Sequence, residues 1–516
     1  MYAIHFLSIL LFIVSTRLLS AEALFSQYFL ACEKEIKSVY AEDLNGDQRK
    51  DILLFYIDEK SHQRWFALYF QNENGFAEQA VQRFPIPHDV SLFDFGDVAD
   101  TPGIEFVTIS AGTIHYHVLT DSGYIRQPQQ FKESESIFIY PDWSRIRRWN
   151  FVRDVNDDGL DDILIPKFDR TTLLLQSGST STWQENHLNL LPQSRPFSYF
   201  DPRFSVGDKA GALFEVPYLL FQDFDNDTLS DIIAIYKDSI NVYVQNENHH
   251  FSNDARYVLA INHGEIWSGA KIMRTHLDDK NERQFLMRLI DIDGDGVLDI
   301  VSSFISTKHS LINPETYTSV FLGRKSQKSE YTFSTDADFV IEPDGTQMVI
   351  DIFDFNKDGN QDFLIPTIKI GVTSIIKMLL TRSINFDAHL FLMHENQRFT
   401  KEAQRKISMN VRFSFRGGAA SPIYEIADFN NDGLLDILAS ADEEMLMLYY
   451  GNKKNSMDSN PGAHYKILLP QDGTLVKASH LNADGRADII VRYEPGKLEM
   501  AGMQNGIFVL LGNADR

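Results

Sequence analysis

The chain has 516 residues, 43% hydrophobic and 12% aromatic, which excludes a disordered protein and predicts a folded one. A formal net charge of -24 excludes a sequence-neutral nucleic-acid binder, which needs a basic face. One cysteine, Cys32, excludes an internal disulfide; it reads as a buried structural thiol, so the fold must be held by its core, to which metal can add.

The first element is a short apolar run from Ile4 to Val14, with Ser20, Ala21 and Ala23 just beyond it. It has no Lys or Arg before it, and it is too short to span a bilayer comfortably. The pattern predicts a secretory signal peptide over 1–23, cut near Ala21 or Ala23. No other stretch approaches 18 apolar residues, so residues 24–516 are expected to be soluble after cleavage, without a membrane span. The expected location is exported: periplasmic, cell-surface or extracellular.

An acidic nine-residue loop then recurs eight times. In chain order the copies are DLNGDQRKD from Asp43, DVADTPGIE from Asp97, DVNDDGLDD from Asp154, DFDNDTLSD from Asp223, DIDGDGVLD from Asp291, DFNKDGNQD from Asp354, DFNNDGLLD from Asp428 and HLNADGRAD from His480. Spacings run from 52 residues (Asp428 to His480) to 74 (Asp354 to Asp428). Asp or Asn at positions 1, 3, 5 and 9 gives hard oxygen ligands that can wrap one Ca2+, and glycine at position 6 permits the sharp turn. The candidate ligand sets are Asp43, Asn45, Asp47 and Asp51; Asp154, Asn156, Asp158 and Asp162; Asp223, Asp225, Asp227 and Asp231; Asp291, Asp293, Asp295 and Asp299; Asp354, Asn356, Asp358 and Asp362; and Asp428, Asn430, Asp432 and Asp436. The Asp43 and Asp223 copies place Gln48 and Thr228 where glycine is wanted. The Asp97 copy keeps only Asp97 and Glu105, and the His480 copy lacks its first acid, so both read as metal-free relics.

These are not EF-hands, because position 12 carries no Glu and the ninth Asp runs into apolar β-branched segments such as DILLFY from Asp51. A strand also precedes each loop, and a later strand ends in a turn and an aromatic, as at Phe76, Phe251 and Phe399. Three or four antiparallel strands per 50–75 residues predict a propeller blade. The last repeat stops one strand short after IFVLLGN, while FSQYFLA from Phe25 resembles the missing piece. The expected fold is therefore an all-β propeller closed by its N-terminal strand. It has eight blades, or seven if the Asp97 copy is not a blade.

These loops and their strand context resemble the FG-GAP or VCBS repeat family, also found in the integrin α-subunit headpiece. The resemblance implies a calcium-binding propeller, a scaffold that serves adhesion, glycan binding and some lyases. The function expected is a non-enzymatic binding or adhesion module for a protein or glycan. The alternative is a polysaccharide lyase on the same scaffold.

Three further features invite chemistry. His115 and His117 share one face of a strand by alternation; the bland reading is an exposed strand face. Trp143 to Trp149 encloses Arg145, Arg147 and Arg148, which suits an acidic glycan or inward-packed aromatics. Insertions at 174–218, 262–284 and 365–390 mark loops that could carry a ligand, and the last contains a short amphipathic helix pattern.

Overall fold

A computed structural model describes residues 24–513 except 146, 178, 200–202, 204–208, 262–264, 267–280, 327–329, 349, 372–373, 375, 377–379, 381–382, 395–397, 400–401, 413–422, 441, 453–455, 459 and 494–502. The predicted signal peptide and most of the 262–284 insertion lie outside the described residues.

Eight antiparallel meanders follow one another, each centred on a loop-exit strand that begins at the ninth loop residue. Those strands are Asp51–Asp58, Glu105–Ser110, Asp162–Pro166, Asp231–Ile235, Asp299–Ser306, Asp362–Ile368, Asp436–Ser440 and Asp488–Val491, numbered here as blades 1 to 8. Their residues read as near-continuous apolar runs because both faces are buried. Alternation sends successive side chains to opposite neighbours. In blade 3, Ile163 and Ile165 pack with blade 2, whereas Leu164 packs with blade 4. In blade 1, Ile52, Leu54 and Tyr56 face blade 8, and Leu53 and Phe55 face blade 2. Each of the eight apolar clusters joins two adjacent blades, including blade 8 to blade 1, so the ring is closed. The Asp97 copy belongs to a full blade of its own, Val90 to Glu133, which settles the count at eight.

Closure uses the N-terminal strand as expected. Phe25–Ala31 pairs antiparallel with Gly506–Gly512, from Phe25 opposite Gly512 to Ala31 opposite Gly506. Phe25 opposite Gly512 repeats Phe333 opposite Gly323 and Phe399 opposite Met393 in blades 5 and 6.

A four-stranded meander places its first and third connections at one end and its second connection, with the link to the next blade, at the other. All acidic loops are first connections and share one end, the loop face. The opposite end is the turn face. It carries the hairpin Gln193–Tyr199 with Lys209–Glu215, inserted between blades 3 and 4. It also carries the segment where Ser374, Ile376 and Leu380 are helical, as the amphipathic pattern predicts.

Candidate metal centres and the opposite face

Each acidic loop is built on its own hydrogen bonds. The first-position acids Asp43, Asp154, Asp223, Asp291, Asp354 and Asp428 accept from the backbone N–H of position 6 at 2.7–2.9 Å. That bond is made with position 6 in the left-handed region, where Gly159 has φ +85° and Gly433 +84°. Gln48 (+67°) and Thr228 (+75°) adopt the same conformation without the glycine. A β-branched residue there costs about 1–2 kcal/mol. Thr228→Gly should therefore raise stability by about 0.5–1 kcal/mol in urea titrations; an unchanged midpoint would show that the strain is relaxed elsewhere.

The ninth position has a second job that the ligand pattern did not reveal. Asp51, Asp162, Asp231, Asp299, Asp362, Asp436 and Asp488 are all buried. One oxygen of each accepts the N–H of loop position 2 at 2.7–3.2 Å, and the other accepts an N–H at the end of the third strand at 2.7–3.0 Å. Glu105 keeps the loop half of the clamp in blade 2, accepting from Val98 N–H at position 2, while its other oxygen accepts from Thr101 Oγ1 in the same loop rather than from the third strand. The acid thus persists in both loops read as relics, because tying loop to blade needs no ion. Each oxygen retains a second lone pair, so the clamp leaves room for a metal. Burial pushes these carboxyls up, to about 6 for Asp231 and about 7 for the other six aspartates, with the backbone donors opposing and the loop acids adding to it.

Among the described residues, acidic oxygens from three residues converge to within 4.8 Å of one another in two loops, Asp223–Asp225–Asp227 and Asp291–Asp293–Asp299. Both carry Asp at position 3. In the Asp154, Asp354 and Asp428 loops position 3 is Asn, whose amide donates to the position 5 carboxylate at 2.9–3.2 Å. Asp225 adds a direct test of fit: its Oδ1 is buried with no hydrogen-bond donor, and its other oxygen lies 3.7 Å from the Arg256 guanidinium. Burial, then Asp227, raises this carboxyl. An orphaned buried carboxylate oxygen among other acids fits a hard cation. Counting position 6 glycines ranks this loop, with the Asp43 copy, below the four ligand sets that carry one; its geometry ranks it among the best.

Neighbouring loops also touch. Asn226 donates to Gly296 O at 3.1 Å, Asn431 to Asp484 O at 3.0 Å, and Lys325 to Asp225 O at 2.8 Å. Order in one loop is therefore felt in the next blade.

The paired histidines do not form a site. His117 is wholly buried against Phe84 and Phe106, with Nδ1 2.9 Å from Ile125 O, and burial lowers its pKa. The reading of an exposed strand face is therefore corrected for His117: neighbouring blades cover both faces of this strand, Ile114 packing toward blade 3 and His117 toward blade 1. Cys32 is buried and free, as expected, and burial raises its pKa.

The arginine segment divides in two. Arg148 binds Asp94 at 2.7 Å and Glu42 at 2.6 Å and lies over the Tyr40 and Phe95 rings, joining blades 1 and 2. Asp94 is fully buried, and burial lifts its carboxyl to about 6 despite the guanidinium. Arg148→Ala should cost about 3 kcal/mol by leaving that charge unpaired, with Asp94→Ala in the same chain recovering part. Calorimetry showing no loss would mean the pair is not holding the blades. Arg145 and Arg147 instead point to solvent on the turn face.

Exposed large apolar side chains are unevenly placed. Tyr140, Trp143, Phe168, Phe214, Leu311 and Leu380 all lie on turn-face connections, as do Ile139, Leu191, Phe197, Leu213, Tyr218, Ile312 and Ile376. Among the described residues, only Val81 and Ile125 stand toward the loop face, and Val258 and Val340 lie on outer strands.

No family model matches the chain, and no curated protein matches it. Among solved structures it is similar to an Agrocybe aegerita lectin described as recognising non-reducing terminal N-acetylglucosamine, at 15% identity over 84% of this chain and 98% of that one, TM-score 0.38. It is also similar to the Dos1 propeller (9% identity, 95% of each chain, TM-score 0.39) and to the V. cholerae biofilm matrix protein Bap1 (10%, 95% of this chain, 88% of that one, TM-score 0.28). At such low identity and TM-score, these likenesses say nothing of what this ring binds.

Proposed function

We propose that this chain is an exported, calcium-stabilised propeller that binds a protein or glycan on its turn face without chemically changing it. The observation that carries this is the one-sided placement of exposed apolar and aromatic side chains, on the end where insertions accumulate. Water-exposed apolar clusters of that kind mark interaction surfaces. The acidic loops at the other end account for much of the negative charge and serve the ring itself.

Arrays of glycans and of extracellular matrix proteins test the reading. The wild-type chain should retain at least one probe, and Phe214→Ser with Leu311→Ser should lose it without a shift in melting temperature. Retained sugar should keep its length on incubation. Equal retention by the double variant would remove the turn face from the proposal, and unsaturated uronate product would replace it with a lyase. Export is checked separately: the protein from its native host should begin between Glu22 and Leu24 by mass spectrometry, and intact Met1 in soluble cytoplasm would contradict it.

A further inference from the structure

The link between blades 2 and 3, residues 134–151, is longer than a chain reversal needs, and both its ends are pinned. At its start Ile137 donates to Pro166 O at 3.0 Å. At its end Arg148 is held by Asp94 and Glu42, and Trp149 packs on Phe138 and Phe151. Between these anchors the chain rises into solvent and presents Tyr140 at 88% and Trp143 at 54% exposure. The Trp143 ring is nevertheless fixed, because its indole N–H donates to His88 O at 3.0 Å. The loop that offers this carbonyl is itself held by buried Arg64, which donates to Pro87 O at 2.9 Å and Val90 O at 2.7 Å. A half-exposed ring on such a buttress can stack on a ligand without losing much rotamer freedom.

Charge stands beside the rings. Arg145 and Arg147 are exposed, and each reaches Asp142 at 3.6 Å. Asp142 also accepts from the Ser144 hydroxyl at 2.6 Å, and that bond, then the Ser144 N–H and the two guanidiniums, hold its carboxyl below the usual range. Two guanidiniums against one carboxylate leave one positive charge in excess. On a chain of net charge -24 this is a local inversion of sign.

We propose that Tyr140, Trp143, Arg145 and Arg147 form a binding site for a uronate-bearing oligosaccharide. The aromatic faces stack on the flat face of a sugar ring, and a guanidinium takes its carboxylate, with Asp142 holding both arginines toward the same spot. An extended acidic peptide would pair with an open strand edge, and residues 140–145 form no strand. The inference rests on the turn-face reading above and names the ligand class for it.

Titration of the full chain with oligogalacturonate, followed by tryptophan fluorescence and calorimetry, is the test. Neutral oligoglucan of equal length, polyglutamate and phosphatidylserine vesicles serve as comparisons. Uronate should bind at least tenfold tighter than the neutral sugar, and added salt should weaken it. Trp143→Ala and Arg147→Gln should each weaken uronate binding about tenfold or more with an unchanged melting temperature, since both side chains are exposed. Trp143→Phe, which keeps a ring, should retain part of it. Equal binding of neutral and acidic sugars, tighter binding of polyglutamate or vesicles, or full binding by both loss variants would overturn the assignment. If the turn face retains another array probe while uronate fails, this inference falls alone; if neither binds, the wider reading falls with it.

Discussion

Excess chelator should lower the melting temperature of the ring by on the order of 10 °C or more, and readded calcium should restore it. Each occupied site contributes RT ln(1 + [L]/Kd), about 2.7 kcal/mol when calcium is a hundredfold above Kd. Six loops carry candidate ligand sets, and the contacts from Asn226 to Gly296 and from Asn431 to Asp484 pass disorder in one loop to the next. Asp227→Ala and Asp295→Ala should each remove part of the calcium-dependent gain. The pH response gives an independent check. The ninth-position carboxyls are raised by burial to about 6–7, above the value near 4 of an unfolded Asp. The folded state therefore binds their protons more tightly, so their contribution is present at low pH and lost as pH rises through about 7. The chelated ring should lose melting temperature between about pH 4 and 7. Saturating calcium should reverse the sign, because only ionised carboxylates bind it. A melting curve indifferent to chelator at every pH would remove calcium from the account.

Deleting residues through Glu33 should unfold or aggregate the whole ring, whereas trimming only to Ala23 should leave it intact. The seven residues Phe25–Ala31 form the outer strand of blade 8, and without them Gly506–Gly512 becomes an open edge. The strand is also a wedge between two cores. Phe25 is buried in the cluster joining blades 7 and 8, and Leu30 in the cluster joining blades 8 and 1. Leu30→Ala alone should cost about 2–5 kcal/mol by opening a cavity where the ring closes. Size-exclusion chromatography and thermal melts of the two truncations decide the point: a monomeric, unshifted deletion through Glu33 would show that closure is dispensable.

Much of the fold was legible because its signals are local. Ile163, Leu164 and Ile165 announce a strand buried on both faces, the recurrent acids announce the turn before it, and Phe25 repeats the aromatic that pairs just after the third strand at Phe76, Phe333 and Phe399. Repetition made eight weak local signals into one strong reading. The loop conformation was legible for the same reason, since the acids at positions 1, 3, 5 and 9 lie within nine residues of chain.

The site was less legible, because its decisive contacts join residues far apart in sequence. The ninth acid reads as a ligand, yet its second oxygen reaches an N–H 14 to 31 residues away, at Gln176 for Asp162 and at Met393 for Asp362. Its recurrence in the ligand-poor loops, as Glu105 and Asp488, was the available clue to that clamp. Arg148 looks like its neighbours Arg145 and Arg147 in the sequence, but only it meets Asp94 and Glu42 across the blade boundary. By itself the sequence determined the blade, its repetition and the strand that closes the ring, since backbone pairing and alternating burial follow from local pattern. Only the tertiary structure decided which end of the ring each insertion occupies, and hence that Tyr140, Trp143, Phe214 and Leu380 share one face. Exposure depends on what packs alongside, and that is fixed by ring closure rather than by any neighbour in the chain.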